Sequence, residues 1–215
     1  MGLVKKKAAP ELAPDLAPVL APAATGARPN VLAALEDADA AVRRDAAHAL
    51  GHASLPGAEA ALAHRLQSEG DAGVREAILT ALARIATPDA AAALIPFLDR
   101  EDAALRNAAL ESLQQMPAEV AAPALLPLLD HADADLRIFA VQGLGSLAHP
   151  GRADWLAGVM ERDADVNVCL AAVEALAEAG SPEALSSLET LARRFPGDAF
   201  VAFAVDAARS SFLGG

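Results

Sequence analysis

Apolar positions along most of the chain recur at the spacing of an α-helix. In the segment DAAVRRDAAHAL, residues 39–50, the residues Val42, Ala46 and Leu50 lie at i, i+4 and i+8, on one helical face. The pattern returns four more times, and each copy begins with Asp, carries Val or Leu fourth and ends in Leu. The five copies span residues 39–50, 71–82, 102–113, 133–144 and 165–176. They predict five amphipathic helices, each with its leading Asp as the N-cap, and the first has Val42 at the centre of its buried stripe.

A second apolar stretch follows each copy after a proline-containing turn, and a weaker sixth copy begins at Asp198. The turn prolines are Pro56, Pro88, Pro117, Pro150 and Pro182, and the second stretches span residues 58–67, 89–98, 118–129, 152–160 and 183–194. The fourth positions of successive copies lie 31 or 32 residues apart, which indicates a helix-turn-helix repeat. A unit of this size cannot bury its apolar face alone, so the units must stack. We therefore predict an all-α protein, a right-handed α-solenoid of about five to six repeats.

The first 29 residues have a different character. Residues 8–24 are rich in Ala and carry a proline at every fourth position from Pro10 to Pro22, which is incompatible with a helix interior. We predict a disordered Ala/Pro-rich tail over 1–29 and a repeat domain over 30–215. The alternative is a short docking arm that presents its evenly spaced leucines.

Composition agrees with a stacked helical fold. Of the 215 residues 57 are alanine, whereas only 3% are aromatic and none is tyrosine. Alanine favours helices, and a β-sandwich needs more aromatic and β-branched residues. Small residues recur on the predicted inward faces, where they allow helices to pack closely: Ala46, Ala81, Ala109, Ala140 and Ala172.

Charge and cysteine content narrow the classes of function. The net charge of −12 argues against nucleic-acid binding, and no lysine after Lys7 is present to serve a P-loop or a Schiff base. A single cysteine, Cys169, permits no intramolecular disulfide, which is typical of a reducing compartment. No apolar run is long enough to span a membrane. We predict a cytoplasmic protein with no membrane or nucleic-acid partner.

The pattern D-x-x-V-R-x-x-A-x-x-A-L, with its proline turn and second helix, resembles the HEAT repeat. It is similar to the short HEAT-like repeats first associated with phycobilin lyases, and the resemblance covers about residues 30–212. It implies an α-solenoid, and most HEAT arrays are scaffolds or binding surfaces. The tract NVCLAAVEALAEAG, followed by RRFPGDAFVAFA, also resembles the C-terminal part of small bacterial HEAT proteins found with chemotaxis-type signalling components.

An arginine occupies the same position in four consecutive copies, four residues after the leading aspartate. The pairs of this ladder are Asp39 and Arg43, Asp71 and Arg75, Asp102 and Arg106, and Asp133 and Arg137. The i, i+4 spacing places the acid and the base of each pair on one helix face, and stacking would align the arginines in a row. We predict a structural ladder of ion pairs and hydrogen bonds that joins neighbouring repeats. The alternative to this structural ladder is an anion-binding stripe.

The ladder ends at Cys169, which takes the arginine's place in the fifth copy. Unusual residues gather around this break: Trp155, the only tryptophan, Asn167, and the phenylalanines Phe195, Phe200 and Phe203. Aromatic residues are enriched at interaction hot spots, and they also close the end of a solenoid core. These six residues are candidates for partner binding, with a terminal cap as the alternative for the aromatic residues and a buried structural thiol as the alternative for Cys169.

A catalytic constellation is missing from the sequence. His48 and His52 have the i, i+4 spacing of a helical metal pair, and His64 would be a third ligand. We interpret them as solvent-facing residues, and no histidine precedes Glu, the dipeptide of the di-iron HEAT hydroxylases. We therefore predict a non-enzymatic scaffold or adaptor for a protein partner, without metal or cofactor, in a chemotaxis or signal-transduction system. The alternative is a bilin-lyase-like chaperone or lyase subunit that binds a bilin.

Overall fold

The computed structural model describes residues 30–53 and 55–213. Within these residues every regular element is helical. The tail predicted for residues 1–29 lies outside the described part of the chain, as do Leu12, Leu16 and Leu20 of the alternative docking arm.

The helices alternate between two layers. The first layer contains the helices that follow the leading aspartates: α2 (Ala40–His52), α4 (Ala72–Ile85), α6 (Ala103–Gln114), α8 (Ala134–Ser146), α10 (Val166–Ala179) and α12 (Ala199–Leu213). The second layer contains α1 (Val31–Ala34), α3 (Ala58–Ser68), α5 (Pro88–Leu94), α7 (Ala118–Leu125), α9 (Arg152–Arg162) and α11 (Leu185–Arg194). Each first-layer helix contacts the next one in that layer, and helices of the second layer pack against them. This arrangement confirms the predicted solenoid of helix-turn-helix repeats.

The leading aspartates begin the first-layer helices. The carboxylate of Asp39 accepts the backbone N–H of Ala41 at 2.8 Å, and that of Asp71 accepts the N–H of Val74 at 3.0 Å. Asp102, Asp133, Asp165 and Asp198 cap their helices in the same way. Each carboxylate satisfies a donor that a helix start leaves without a partner, so the predicted N-caps are present in all six copies.

Prolines break two of the second-layer stretches. The stretch predicted at 89–98 forms α5 followed by a 3₁₀ turn at Ile95–Phe97, and the stretch at 118–129 forms α7 followed by a 3₁₀ turn at Leu126–Asp130. Pro96 and Pro127 lie at the start of these turns and lack the N–H that an α-helix would use. A third such turn, Pro182–Ala184, precedes α11.

The prediction for Val42 was wrong. Val42 is 39% exposed, whereas Ala46, Ala47 and Leu50 of α2 are buried. The equivalent residues of the next four copies, Val74, Leu105, Leu136 and Val168, are all buried. Val42 lines a shallow cleft with Val31 and Ala34 of α1, a helix of a single turn that leaves part of this side chain open to solvent.

Spacing within the first layer depends on two glycines. A Cβ atom added to Gly51 would lie 2.8 Å from the Cα atom of Ala81, and one added to Gly145 would lie 2.6 Å from the Cβ atom of Ala175. The pairs α2–α4 and α8–α10 therefore pack closely, and their contacts are the most extensive in the layer. At the positions of these glycines, the intervening repeats carry Ala83 and Gln114, whose larger side chains accompany looser packing of α6 against its neighbours.

Candidate functional site

The ladder arginines bond the loops between repeats. Nη1 of Arg43 donates to the backbone oxygens of Asp37 and Ala38, six and five residues earlier, at 2.8 and 3.0 Å. Arg106 and Arg137 repeat this arrangement with the oxygens six and five residues before them. Arg75 donates through Nε to the oxygen of Glu69, also six residues earlier. Each guanidinium thereby fixes the loop that leads into its own helix.

The ion pairs of the ladder form between repeats, as the predicted ladder requires. Within the described residues, no ladder arginine pairs with the aspartate four residues before it. Arg43 pairs with Glu69 and Arg137 with Asp163, each 26 residues later, and Arg75 pairs with Asp102. The arginines therefore join neighbouring repeats, and the ladder is a set of bonds between repeats.

Glu69 is the most heavily bonded carboxylate of the ladder. Its oxygens accept Nε and Nη2 of Arg43 at 2.8 and 2.9 Å, Nε of Arg65 at 2.8 Å and the backbone N–H of Asp71 at 2.8 Å. The side chain of Glu69 is 1% exposed. The hydrogen bonds from Arg43 are the main reason that the pKa of Glu69 falls to about 2, and they also raise the pKa of Arg43. This buried pair is structural, since its charges are already satisfied within the chain.

Arg106 differs from the other ladder arginines. No carboxylate pairs with it among the described residues, and its Nε atom is buried without a hydrogen-bond partner. The guanidinium lies 5.5 Å from the centre of the Phe139 ring. In the loop that follows Arg106, the position equivalent to Glu69 is occupied by His131, whose Nδ1 accepts the N–H of Asp133.

At the break in the ladder, Arg194 bonds the inter-repeat loop in place of a ladder arginine. Cys169 is fully buried, and its Sγ lies 3.7 Å from Nη1 of Arg194. The guanidinium of Arg194 donates to the backbone oxygen of Asp163, in the loop that leads into α10, and to that of Met160, in the last turn of α9. This loop is the equivalent of those held by the ladder arginines, but here the arginine comes from the end of α11. Burial raises the pKa of Cys169, and its position in the core agrees with the alternative of a buried structural thiol.

Sequence reasoning missed Glu69, Asp163 and Arg194. A signal for the two acids was available, because both stand two residues before a capping aspartate and accept its N–H. Burial alone would raise the pKa of Asp163, but the hydrogen bonds from Arg137 and from the N–H of Asp165 leave it lowered. For Arg194 no signal was available, since it reaches the loop from the other layer.

The candidate partner-binding residues fall into two groups. Trp155 stacks on His149 with ring centres 4.5 Å apart and packs against the core. Phe195 is half-buried beneath the guanidinium of Arg194, 5.2 Å from its ring centre. Together with buried Cys169, these residues are components of the fold, and they offer little surface to a partner.

The other group lies on the outside of the first layer. Phe200 and Phe203 of α12 are 77% and 76% exposed, while Val201 and Val205 of the same helix are buried. Asn167 of the neighbouring helix α10 is exposed as well. With the exposed acids Glu174 and Asp206, these residues form what we call the C-terminal face (Asn167, Glu174, Phe200, Phe203 and Asp206).

Earlier repeats do not carry aromatic residues at these positions. The residues equivalent to Phe200 are Ala41, Gly73, Ala104, Asp135 and Asn167. The residues equivalent to Phe203 are Arg44, Glu76, Asn107, Ile138 and Leu170. Stacking therefore does not require a large ring at either position. The two phenylalanines are an addition of the last repeat to the surface.

A cleft of about 320 Å³ opens on the first layer between α4 and α6. Its walls include Leu79 and Leu105, and Glu76 and Glu111 line it without an ion-pair partner among the described residues. It lies beside Arg75, whose guanidinium is already occupied by Asp102 and the oxygen of Glu69.

The histidines considered as metal ligands are dispersed. His48 and His52 are exposed on α2, and His52 contacts Arg84, while His64 lies 3.8 Å from Glu36. Across residues 30–53 and 55–213, no group of three or more His, Cys, Asp or Glu side chains has the geometry to hold a metal ion. In the same part of the chain, no helix combines the length and the apolar character that crossing a bilayer requires.

Comparison with known proteins agrees with the repeat architecture. The family model for HEAT repeats matches residues 4–83, 28–114, 59–137 and 122–207. No curated protein sequence matches the chain.

Solved structures that resemble the chain have low sequence identity. Human deoxyhypusine hydroxylase in complex with glycerol is 20% identical over 86% of this chain and 84% of that one, with a TM-score of 0.45. The complex of CpcE and CpcF of phycocyanin lyase from Nostoc sp. PCC7120 is 26% identical over 84% and 80%, with a TM-score of 0.38. An archaeal HEAT-like repeats protein from Thermococcus onnurineus NA1 is 16% identical over 85% and 87%, with a TM-score of 0.45. By its repeats and by the span of the family match, the chain belongs to the HEAT-repeat family.

Proposed function

We propose that the protein is a non-enzymatic scaffold or adaptor that binds a protein partner through its C-terminal face. The observation that carries this proposal is the exposure of Phe200 and Phe203, at 77% and 76%, on a helix whose opposite side is packed against the core. Large aromatic side chains supply much of the binding energy at protein interfaces, and exposing two of them on one helix turn costs solubility without stabilising the fold.

The chemistry of the rest of the molecule supports a binding role. The buried ion pairs Arg43–Glu69 and Arg137–Asp163 hold neighbouring repeats together, so their charges are engaged in the fold. Cys169 is buried with a raised pKa, which makes it a poor nucleophile. These groups are thus occupied structurally, whereas the C-terminal face is free to contact another protein.

Affinity capture with the full-length protein tests this proposal. Wild-type protein, the double variant F200A/F203A and the matched control V42A/L55A would be used in parallel, with captured proteins identified by mass spectrometry. Val42 and Leu55 are exposed apolar residues at the other end of the solenoid, at 39% and 41%. We expect a partner that wild type and the control retain and the double variant loses. A partner retained equally by all three proteins would contradict the proposed surface.

Two narrower hypotheses accompany this proposal. A place in a chemotaxis-type signalling system rests on the resemblance of the C-terminal tract, and unchanged taxis and receptor methylation in a deletion strain would refute it. A bilin-lyase-like role rests on the type of repeat, and it requires a change in visible absorbance when a bilin is added to purified protein. A cytoplasmic location remains a prediction from the sequence, which fractionation of cells would test.

A further inference from the structure

The phenylalanines of this chain differ in what covers them. Arg100 lies over Phe97, Arg106 over Phe139 and Arg194 over Phe195, with guanidinium carbons 5.2 to 5.5 Å from the ring centres. A fourth ring, Phe212, packs against the core of the last repeats. Within the described residues, Phe200 and Phe203 have neither an arginine nor a packed core over them. Their faces are therefore open to a cation from another molecule.

The charges beside these rings have one sign. Asp206 lies three residues after Phe203, on the same side of α12, and it is exposed and forms no ion pair among the described residues. Glu174 is exposed on α10, also without an ion pair. No lysine or arginine belongs to the C-terminal face, since Arg209 of α12 pairs with Glu189 of α11 at 3.7 Å. A partner that neutralises this face must bring positive charge.

We propose that the C-terminal face receives an arginine, flanked by apolar residues, from a segment of the partner protein. The guanidinium would lie over the ring of Phe203 and pair with the carboxylate of Asp206, with Phe200 beside it on the same turn. Arginine fits better than lysine because its planar group stacks on a ring and bonds a carboxylate at the same time. This inference rests on the proposed function and specifies the chemistry of the partner.

Selection from a random peptide library tests the inference without knowledge of the partner. Phage-displayed dodecapeptides would be panned on the full-length protein and, in parallel, on F200A/F203A. We expect peptides that are enriched only on wild type to carry arginine beside aliphatic or aromatic residues. A synthetic copy of the most enriched peptide, labelled with fluorescein, would then be titrated against the protein.

One substitution in the peptide and one in the protein measure the contribution of the guanidinium, and a third substitution is the control. Replacing the peptide's arginine by lysine is expected to weaken binding about tenfold, because stacking and bidentate pairing are lost together. Asp206→Asn is expected to weaken binding about fivefold, since it removes one charged partner of the guanidinium. Asp45→Asn is the matched control, an exposed aspartate of the first layer at the other end of the solenoid, and it should leave binding unchanged.

The outcomes separate this inference from the proposed function. Enriched peptides that lack arginine, or peptide binding that D206N leaves unchanged, would overturn the inference that the partner supplies an arginine. Either result would still be compatible with a docking surface at the C-terminal face. Enrichment of the same peptides on wild type and F200A/F203A, or of none on either, would also overturn it. The proposed function is tested separately by affinity capture, in which loss of a partner from F200A/F203A does not depend on the partner's charge.

Discussion

The first two repeats and the last two use different residues to bond the loops between stacked repeats. In the first two, Arg43 bonds its own loop and reaches the buried acid Glu69 of the next loop. In the fifth repeat a buried cysteine replaces the arginine, and Arg194 of α11 bonds the loop instead. The outer surface changes as well, from Arg44 and Glu76 on α2 and α4 to Phe203 on α12.

This difference shows which ladder feature the fold requires. A guanidinium bonds each of the loops that lead into α2, α4, α6, α8 and α10, but neither its position in the sequence nor a carboxylate partner is constant. Arg106 and Arg194 bond loop oxygens without a carboxylate, so the loop oxygens are the constant partners. The surface is free to vary, because the positions of Phe200 and Phe203 do not take part in stacking.

The largest expected effect comes from removing the buried acid of the first repeats. Glu69→Ala leaves Arg43 and Arg65 without their shared carboxylate, and we expect a loss of about 3 kcal/mol in the free energy of unfolding. Glu36→Ala is the matched control, because Glu36 is 55% exposed and pairs with the same Arg65, so its loss should be below about 1 kcal/mol. Urea denaturation measures both. Equal losses would show that burial of Glu69 has no special role.

Low pH should weaken the ion pair between Arg43 and Glu69. The pKa of Glu69 is about 2 in the folded protein and 4.5 as its ordinary value, so the unfolded chain binds the proton more tightly. The stability that Glu69 contributes is therefore complete above pH 4.5 and is lost as the pH falls towards 2. In Glu69→Gln this part of the decline should disappear, whereas Glu36→Gln should keep it. Thermal unfolding across this pH range checks the difference.

Arg194→Ala tests the corresponding contact in the fifth repeat. We expect a loss of about 2 kcal/mol, because the backbone oxygens of Met160 and Asp163 lose their donor. Arg193→Ala, an exposed neighbour, should cost less than about 0.5 kcal/mol. In C169R/R194A an arginine again occupies the ladder position, and this double variant should recover part of the stability that R194A loses. Denaturant titration measures the free energy of unfolding of R194A, R193A and C169R/R194A. A double variant less stable than R194A would show that the two arginines are not equivalent.

Gly145→Ala tests the close approach of α8 and α10. The added methyl group would lie 2.6 Å from the Cβ atom of Ala175, so the helices must separate, and we expect a loss of about 1.5 kcal/mol. Adding Ala175→Gly removes the contacted atom and should restore stability despite the lower helix propensity of glycine. Failure of this second substitution to improve on G145A, measured by thermal unfolding, would contradict the contact.

The smallest effect on stability is expected for the C-terminal face. F200A/F203A should change the free energy of unfolding by less than about 0.5 kcal/mol, because surface substitutions away from packed groups cost little. The exposed fractions of 77% and 76% support this expectation. Urea denaturation beside the binding assays separates a binding role from a structural one. A loss like that of Arg194→Ala would favour the terminal cap considered from the sequence.

Sequence alone predicts the repeats and their caps because both are local. The spacing of apolar residues and a leading aspartate act within one helix, as Asp71 and Val74 show. The ion pairs follow from how repeats stack, so Glu69 and Asp163 could not be assigned to arginines 26 residues away. Val42 was misplaced for the same reason, since its exposure depends on how α1 packs against α2 and not on the spacing within one helix.

Only part of the candidate site could be predicted from sequence. The clustering of rare residues near the break in the ladder points to the last repeats, but clustering does not distinguish exposed from buried side chains. Cys169 and Trp155 face the core, whereas Phe200 and Phe203 face solvent. That division depends on the register of each helix against its neighbours.

Site-specific crosslinking tests the central claim most directly. A photoreactive benzophenone amino acid would replace Phe203 in one full-length protein and Val42 in another, because both residues are exposed and apolar at opposite ends of the solenoid. After irradiation in cells, we predict a discrete crosslinked protein from position 203 and none from position 42. A crosslink from position 42 alone, or the same crosslinked protein from both positions, would contradict a partner-binding surface on the C-terminal face.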